Sequence, residues 1–168
     1  MDHGKRHFMQ FLGAGAVIAM AGVSSVMTGA NNAMAGMVTK LKLSDAEWRK
    51  RLSPARYNIL RKEGTERAHT SPLDKEKRAG TFHCAGCDLA LFDSSTKFDS
   101  RTGWPSFYQP IAGHVETKTD YKLLFPRTEY HCARCGGHQG HVFKDGPKPT
   151  GLRYCNNGLA LTFKPRTA

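Results

Sequence analysis

The chain has 168 residues, with 25 lysines and arginines against 14 aspartates and glutamates, a net charge of +11, and five cysteines. That length gives one domain its own core and excludes two comfortable ones. The basic balance favours anionic partners in general and selects none of them.

Lys5 and Arg6 precede an uncharged run of apolar and small residues from Phe8 to Met27. Ala33-Met34-Ala35 then supplies small residues at the two positions a signal peptidase reads. The pattern predicts an export signal over residues 1–35, removed after Ala35, and a mature domain over residues 36–168. An uncleaved anchor is the alternative, since roughly 20 apolar residues can span a bilayer. Gly13, Gly15, Gly22, Ser24 and Ser25 make the run weakly hydrophobic for that role. The stretch Gly4 to Leu12 resembles a twin-arginine export signal with lysine in the first arginine position. A substrate of that route crosses folded and can load a metal in a reducing compartment, whereas a chain threaded unfolded exposes its thiols to oxidation first. The expected location is the periplasm or another exported site, with no stable membrane insertion after cleavage.

Residues 44–63 predict one or two helices. Ser44 with Glu47 forms a capping box, Ser53-Pro54 places a cap before a first-turn proline, and Gly64 marks a stop. Trp48 and Leu52, four apart, give one apolar face on an otherwise basic segment. After a polar, irregular stretch from Thr65 to Gly80, short runs alternate with turn residues: Thr81 to His83, Leu89 to Phe92, Tyr121 to Phe125, Tyr130-His131, Val142-Phe143 and Leu159 to Phe163. The expected fold is mainly β, two antiparallel sheets stapled by a metal, with short N-terminal helices and a core over about 43–163.

Four cysteines form two pairs, Cys84-x-x-Cys87 and Cys132-x-x-Cys135. Four thiolates at such spacings saturate one tetrahedral Zn²⁺, and a saturated site is structural. The stretch from Asp88 to His131 exceeds the spacing of a compact zinc ribbon, so the pairs are expected on separate hairpins clamped by the ion. Two disulfides and a redox-active pair are the competing readings. His83 and His131, each beside a knuckle cysteine, are expected to be spectators.

Cys155 is left over. The stretch from Gly151 to Phe163 reads as one strand of period two, placing Arg153, Cys155, Asn157, Leu159, Leu161 and Phe163 on a shared face. A guanidinium two residues away favours thiolate over thiol. The bland alternative is a cysteine buried as a small hydrophobe. Arg101 to Phe107 is a glycine-hinged turn presenting Trp104 and Phe107. His138 and His141 lie among glycines on a loop just beyond the second knuckle, where histidine can move protons near neutral pH.

Taken in order, Cys84-x-x-Cys87, Gly103-Trp104-Pro105-Ser106-Phe107, Cys132-x-x-Cys135, Gly140-His141-Val142-Phe143, Asp145-Gly146-Pro147 and Arg153-Tyr154-Cys155-x-Asn157 resemble the B-type methionine sulfoxide reductases. The resemblance spans about Leu43 to Phe163. It implies peptide-methionine (R)-S-oxide reductase activity, with Cys155 as nucleophile on the sulfoxide sulfur. It also implies that Trp104 and Phe143 take the substrate methyl, that His138, His141 and Asn157 bind and help protonate the sulfoxide oxygen, and that Arg153 tunes the site. One structural zinc on Cys84, Cys87, Cys132 and Cys135 goes with it.

The sequence departs from a common version of that family at Thr102, where a resolving cysteine often stands. With no other thiol outside the metal set, a thioredoxin-like external dithiol is expected to reduce the Cys155 sulfenic acid directly, or a small thiol to attack it first. Gly158 stands where serine is often found, a change expected to matter little. The alternatives are a zinc-ribbon binding module, which leaves Cys155, Trp104 and the histidines unexplained, and a thiol peroxidase using Cys155. Export argues against a nucleic-acid partner, and the chain is expected to be a monomer.

Overall fold

Residues 38–121 and 125–167 are described by a computed structural model. The export signal expected over residues 1–35 lies outside the described residues. No helix among the described residues is long and apolar enough to cross a membrane.

The two expected helices are α1 (Asp45–Arg51) and α2 (Pro54–Lys62). Ser44 closes the capping box, its backbone N–H donating to the Glu47 carboxylate at 2.7 Å. Ser53 caps α2, and Glu63, in the left-handed region at φ 55°, ends it. Trp48, Leu52, Ile59 and Leu60 are buried, so the basic residues are left on the outer side or reaching over the edges.

Nine strands follow among the described residues: β1 (Gly80–Cys84), β2 (Ala90–Asp93), β3 (Lys97–Phe98), β4 (Ser106–Phe107), β5 (Val115–Asp120), β6 (Arg127–Cys132), β7 (His138–Phe143), β8 (Arg153–Asn156) and β9 (Leu161–Pro165). They form a three-stranded sheet, β2-β1-β9, and a six-stranded sheet, β3-β4-β8-β7-β6-β5, antiparallel throughout. The mainly β architecture with two sheets is the one expected. Aromatic rings join the layers. Phe92 of the small sheet stacks on Phe107 of the large one at 4.1 Å, and Phe82 meets Phe107 edge-on at 4.9 Å. Tyr154 packs into the same cluster through Tyr130 at 5.3 Å. Strand alternation therefore turns its neighbours Arg153 and Cys155 away from the inter-sheet core.

Three expectations need correction. The stretch 151–163 is not one strand: β8 ends at Asn156, a 3₁₀ turn occupies Gly158–Ala160, and β9 joins the other sheet. The shared face is lost with it, since Asn156 and Asn157 are both buried and Leu159 is 37% exposed. The break has a cause. The Asn157 N–H donates to the Gln139 carbonyl at 2.8 Å, and the Leu159 N–H to the Glu66 carboxylate at 2.9 Å, which diverts the backbone from its ladder. Second, Tyr121 and Phe125 belong to no strand and are 77% and 78% exposed, while residues 122–124 lie outside the described residues. The strands are the polar segments on either side. Third, His138 and His141 sit on β7, not on a loop.

Candidate active site and metal cluster

The two cysteine pairs fold into matching knuckles on separate hairpins, one in each sheet. In the first, Cys84 N–H donates to Leu89 O at 2.8 Å, Asp88 N–H returns to Cys84 O at 2.8 Å, and Asp88 takes φ 62°. In the second, Cys132 N–H donates to Gly137 O at 3.0 Å, Gly136 N–H returns to Cys132 O at 2.8 Å, and Gly136 takes φ 66°. The repeat extends to the left-handed residue four places after each leading cysteine.

The four buried sulfurs lie within 4.8 Å of one another and could hold a metal ion. Cys84 Sγ is 3.7 Å from Cys135 Sγ, and Cys87 Sγ is 3.5 Å from Cys132 Sγ. Zn–S bonds of about 2.3 Å in a tetrahedron require S···S separations of about 3.8 Å, so the donor set fits that ion. A disulfide requires about 2.05 Å, and all five cysteines are free. The helices explain part of their basic character here. Arg51 Nε donates to Gly86 O at 2.8 Å and Arg61 Nη1 to Cys135 O at 3.0 Å, one carbonyl on each knuckle. The His83 and His131 rings point instead at Asp88 O and the Glu129 carboxylate.

Cys155 lies elsewhere, at the centre of the large sheet. It pairs in register with Ser106 on β4 and His141 on β7. A cavity of about 140 Å³ opens over it, lined by Trp104, His141, Phe143 and Asn157, with Thr65, Arg127, Gly140 and Asn156 completing the wall. A larger groove of about 840 Å³ runs along His69, Lys75, Lys97 and Arg101, contains no cysteine, and is unsuited to thiol chemistry.

Burial pushes the Cys155 thiol above its ordinary value; the Arg153 guanidinium and the Thr102 hydroxyl oppose this and do not overcome it. Arg153 thus acts in the expected direction and is outweighed by desolvation. Its fork binds Asp145 at 2.9 and 2.8 Å and lies 4.3 Å from the Phe143 ring centre, and the same guanidinium hydrogen-bonds the Cys155 thiol. His141 Nε2 sits 2.8 Å from Asp120 Oδ2, and the same oxygen accepts from Arg127 Nη2 at 2.7 Å. Burial lowers the His141 pKa despite that carboxylate, keeping the imidazole neutral near neutral pH. The contact assigns the proton to Nε2 and leaves Nδ1 as the free ring nitrogen.

His138 is placed differently. It is 2% exposed, is absent from the cavity wall, and its Nδ1 bonds Glu129 Oε1 at 2.7 Å. It meets His141 edge-on at 5.5 Å, and its buried Nε2 has no partner among the described residues. Asn157 is tied at both ends of its amide: Nδ2 donates to Gln139 O at 3.0 Å, and Oδ1 accepts from Glu66 N–H at 2.9 Å. Gln139 in turn donates through Nε2 to Cys84 Sγ at 3.4 Å, so one residue connects the four-cysteine cluster to the wall of the Cys155 cavity.

Residues 52–165 match the SelR domain family. The chain is 57% identical over 123 residues to "Peptide methionine sulfoxide reductase MsrB" of Pseudomonas putida (strain W619), covering 71% of this chain and 91% of that protein. It is 51% identical over 131 residues to the protein of the same name from Thiobacillus denitrificans, covering 77% and 99%. Similarity to "Peptide methionine sulfoxide reductase B1, chloroplastic" of Arabidopsis thaliana is 58% over 120 residues, and there the chain spans 59% of the relative's length.

The chain is a B-type methionine sulfoxide reductase family member.

Within this SelR domain, sequence reasoning missed Thr65, Asp120, Arg127 and Glu129 as neighbours of the site. Asp120 and Arg127 end polar strands with no apolar alternation to reveal them, and Thr65 sits in an irregular segment. Gly158 also matters more than expected: a Cβ there would lie 1.9 Å from Ser71 Oγ and 3.2 Å from Glu66 Oε1. A side chain at this position would require Ser71 to shift.

Proposed function

We propose that this chain is a peptide-methionine (R)-S-oxide reductase, an oxidoreductase that repairs oxidised methionine in exported proteins. The observation that carries the reading is the placement of Cys155 in the Trp104–Phe143 cavity, opposite His141, while the other four sulfurs gather in a separate buried cluster. Trp104 and Phe143 take the substrate methyl. His141 and Asn157 receive the sulfoxide oxygen, with His138 behind them.

The chemistry needs a soft nucleophile and a proton for the leaving oxygen. Cys155 gives up its proton through His141 as its sulfur bonds to the sulfoxide sulfur. The protonated oxygen passes to Cys155 and the thioether leaves. The sulfoxide gains two electrons, and the cysteine loses two, ending as sulfenic acid. A thioredoxin-like dithiol attacks that sulfenic acid, water departs, and the second thiol frees Cys155 and closes the carrier's disulfide. Thr102 supplies no internal thiol for this step.

Cys84, Cys87, Cys132 and Cys135 hold one Zn²⁺, which when bound fastens the two hairpins and keeps four sulfurs as thiolates. The enzyme works as a monomer in the periplasm or another exported compartment; the Lys5-Arg6 pair and the run from Phe8 to Met27 support the export. Incubation with dabsylated methionine (R)- and (S)-sulfoxide and dithiothreitol tests the activity: only the R epimer should be consumed, and reduction of neither or of S would overturn the reading. Mass measurement of the protein recovered from the periplasm tests export, with a chain beginning at residue 36 expected.

A further inference from the structure

Glu66 sits just after α2, 8% exposed, and has no part in the chemistry above. Each of its polar groups reaches a different piece of the site. Its carbonyl accepts the Trp104 indole Nε1–H at 3.1 Å. Its N–H donates to Asn157 Oδ1 at 2.9 Å. Its carboxylate accepts the backbone N–H groups of both Gly158 and Leu159, the latter at 2.9 Å. The neighbouring Thr65 lines the cavity itself.

We propose that Glu66 is a positioning residue that ties the substrate wall at Trp104 to the segment that follows Cys155, so that both sides of the cavity move as one body. The proposal deepens the reductase reading and rests on it. Backbone N–H groups donating to a carboxylate make hydrogen bonds of the strong kind. Two of them fix where the chain leaves β8, and the Glu66 main chain passes that placement to Trp104 and Asn157. The missing side chain at Gly158 fits the arrangement, because a Cβ would press on Glu66 Oε1 and displace Ser71.

The test uses E66A and E66Q in the metal-loaded protein. E66A loses about 100-fold in kcat/KM for the R-sulfoxide, shared between a raised KM and a lowered kcat, as expected when reacting groups shift by about 1 Å. E66Q keeps one acceptor oxygen and loses about tenfold. Acrylamide quenching separates positioning from bulk destabilisation. Trp48 is 2% exposed, so the quenchable emission belongs to Trp104 and should rise in E66A, less so in E66Q, with metal content unchanged. Wild-type quenching with an unchanged KM in both variants would overturn the proposal. A loss in E66Q equal to that in E66A, with metal released, would also overturn it. Should E66A fail to fold, E66Q decides by the same measurements. If the wild type reduces no sulfoxide, the reductase reading falls, and the quenching comparison still decides the role of Glu66.

Discussion

His141 and Cys155 are Cα partners across β7 and β8, so their side chains stand on the same face of the antiparallel pair. The neighbouring Gly140 lets the strands come this close, for a Cβ there would lie 1.9 Å from Cys155 O. The proposed acid–base group and nucleophile are therefore set by a strand ladder, which holds position better than a loop.

Burial raises the Cys155 pKa and lowers that of His141, so the resting pair near neutral pH is thiol and neutral imidazole. Alkylation of Cys155 by iodoacetamide should be slow at pH 7 and rise with a midpoint above that of an ordinary thiol. T102V, which removes one hydroxyl holding the thiol down, should move the midpoint further up. A rapid reaction already at pH 6 would contradict the assignment.

Thr102 interacts with the Cys155 thiol, at the position where a resolving cysteine could act. Wild-type protein treated with R-sulfoxide and no reductant should accumulate a sulfenic acid that dimedone labels once, at Cys155. T102C should lose that label and two thiols together as a disulfide forms. Recovery of an intramolecular disulfide from the wild type would contradict the proposed external reductant.

With four clustered sulfurs at this spacing, a metal bound there would contribute to the fold's stability. Native protein should contain one zinc and release four thiols to a disulfide reagent only after strong chelation, with loss of the cooperative thermal transition. Four thiols reacting freely in folded protein would be the contrary result.

Burial alone would raise the Glu129 pKa, yet hydrogen bonds from His131 and His138 hold it at about 2. A depressed carboxylate stabilises the fold fully above its unfolded value of about 4.3, and the contribution is lost as pH falls through the folded value. At neutral pH that amounts to about 3 kcal/mol for a side chain 3% exposed. E129Q should be less stable by about that amount near pH 7 and show a flatter stability profile between pH 4.5 and 2, measured by urea unfolding. An unchanged slope would show that Glu129 is not the titrating group.

Local chemistry made the helix caps, the two knuckles and the glycine-hinged turn legible: Ser44, Ser53, the Cys-x-x-Cys pairs and Gly103 each act within a few residues of themselves. The same holds for Trp104, His141, Phe143, Cys155 and Asn157, which the fold gathers around one cavity. Relationships carried by sheet register stayed hidden. Nothing in the polar strand Val115–Asp120 announces that Asp120 will hold His141. Period two misled at Asn157, because side-chain and backbone bonds to Gln139 and Glu66 override the ladder there. His138 shares the glycine-rich stretch with His141, yet buries its ring against Glu129.

The most direct measurement is the epimer-resolved sulfoxide assay on Cys155→Ser, with zinc content determined on the same sample. R-sulfoxide reduction should vanish, a loss of more than about 10³-fold for removal of a nucleophile, while one zinc per chain and the thermal transition are retained. Undiminished reduction of the R epimer by the serine variant would contradict the division of the five cysteines into four ligands and one reactive thiol.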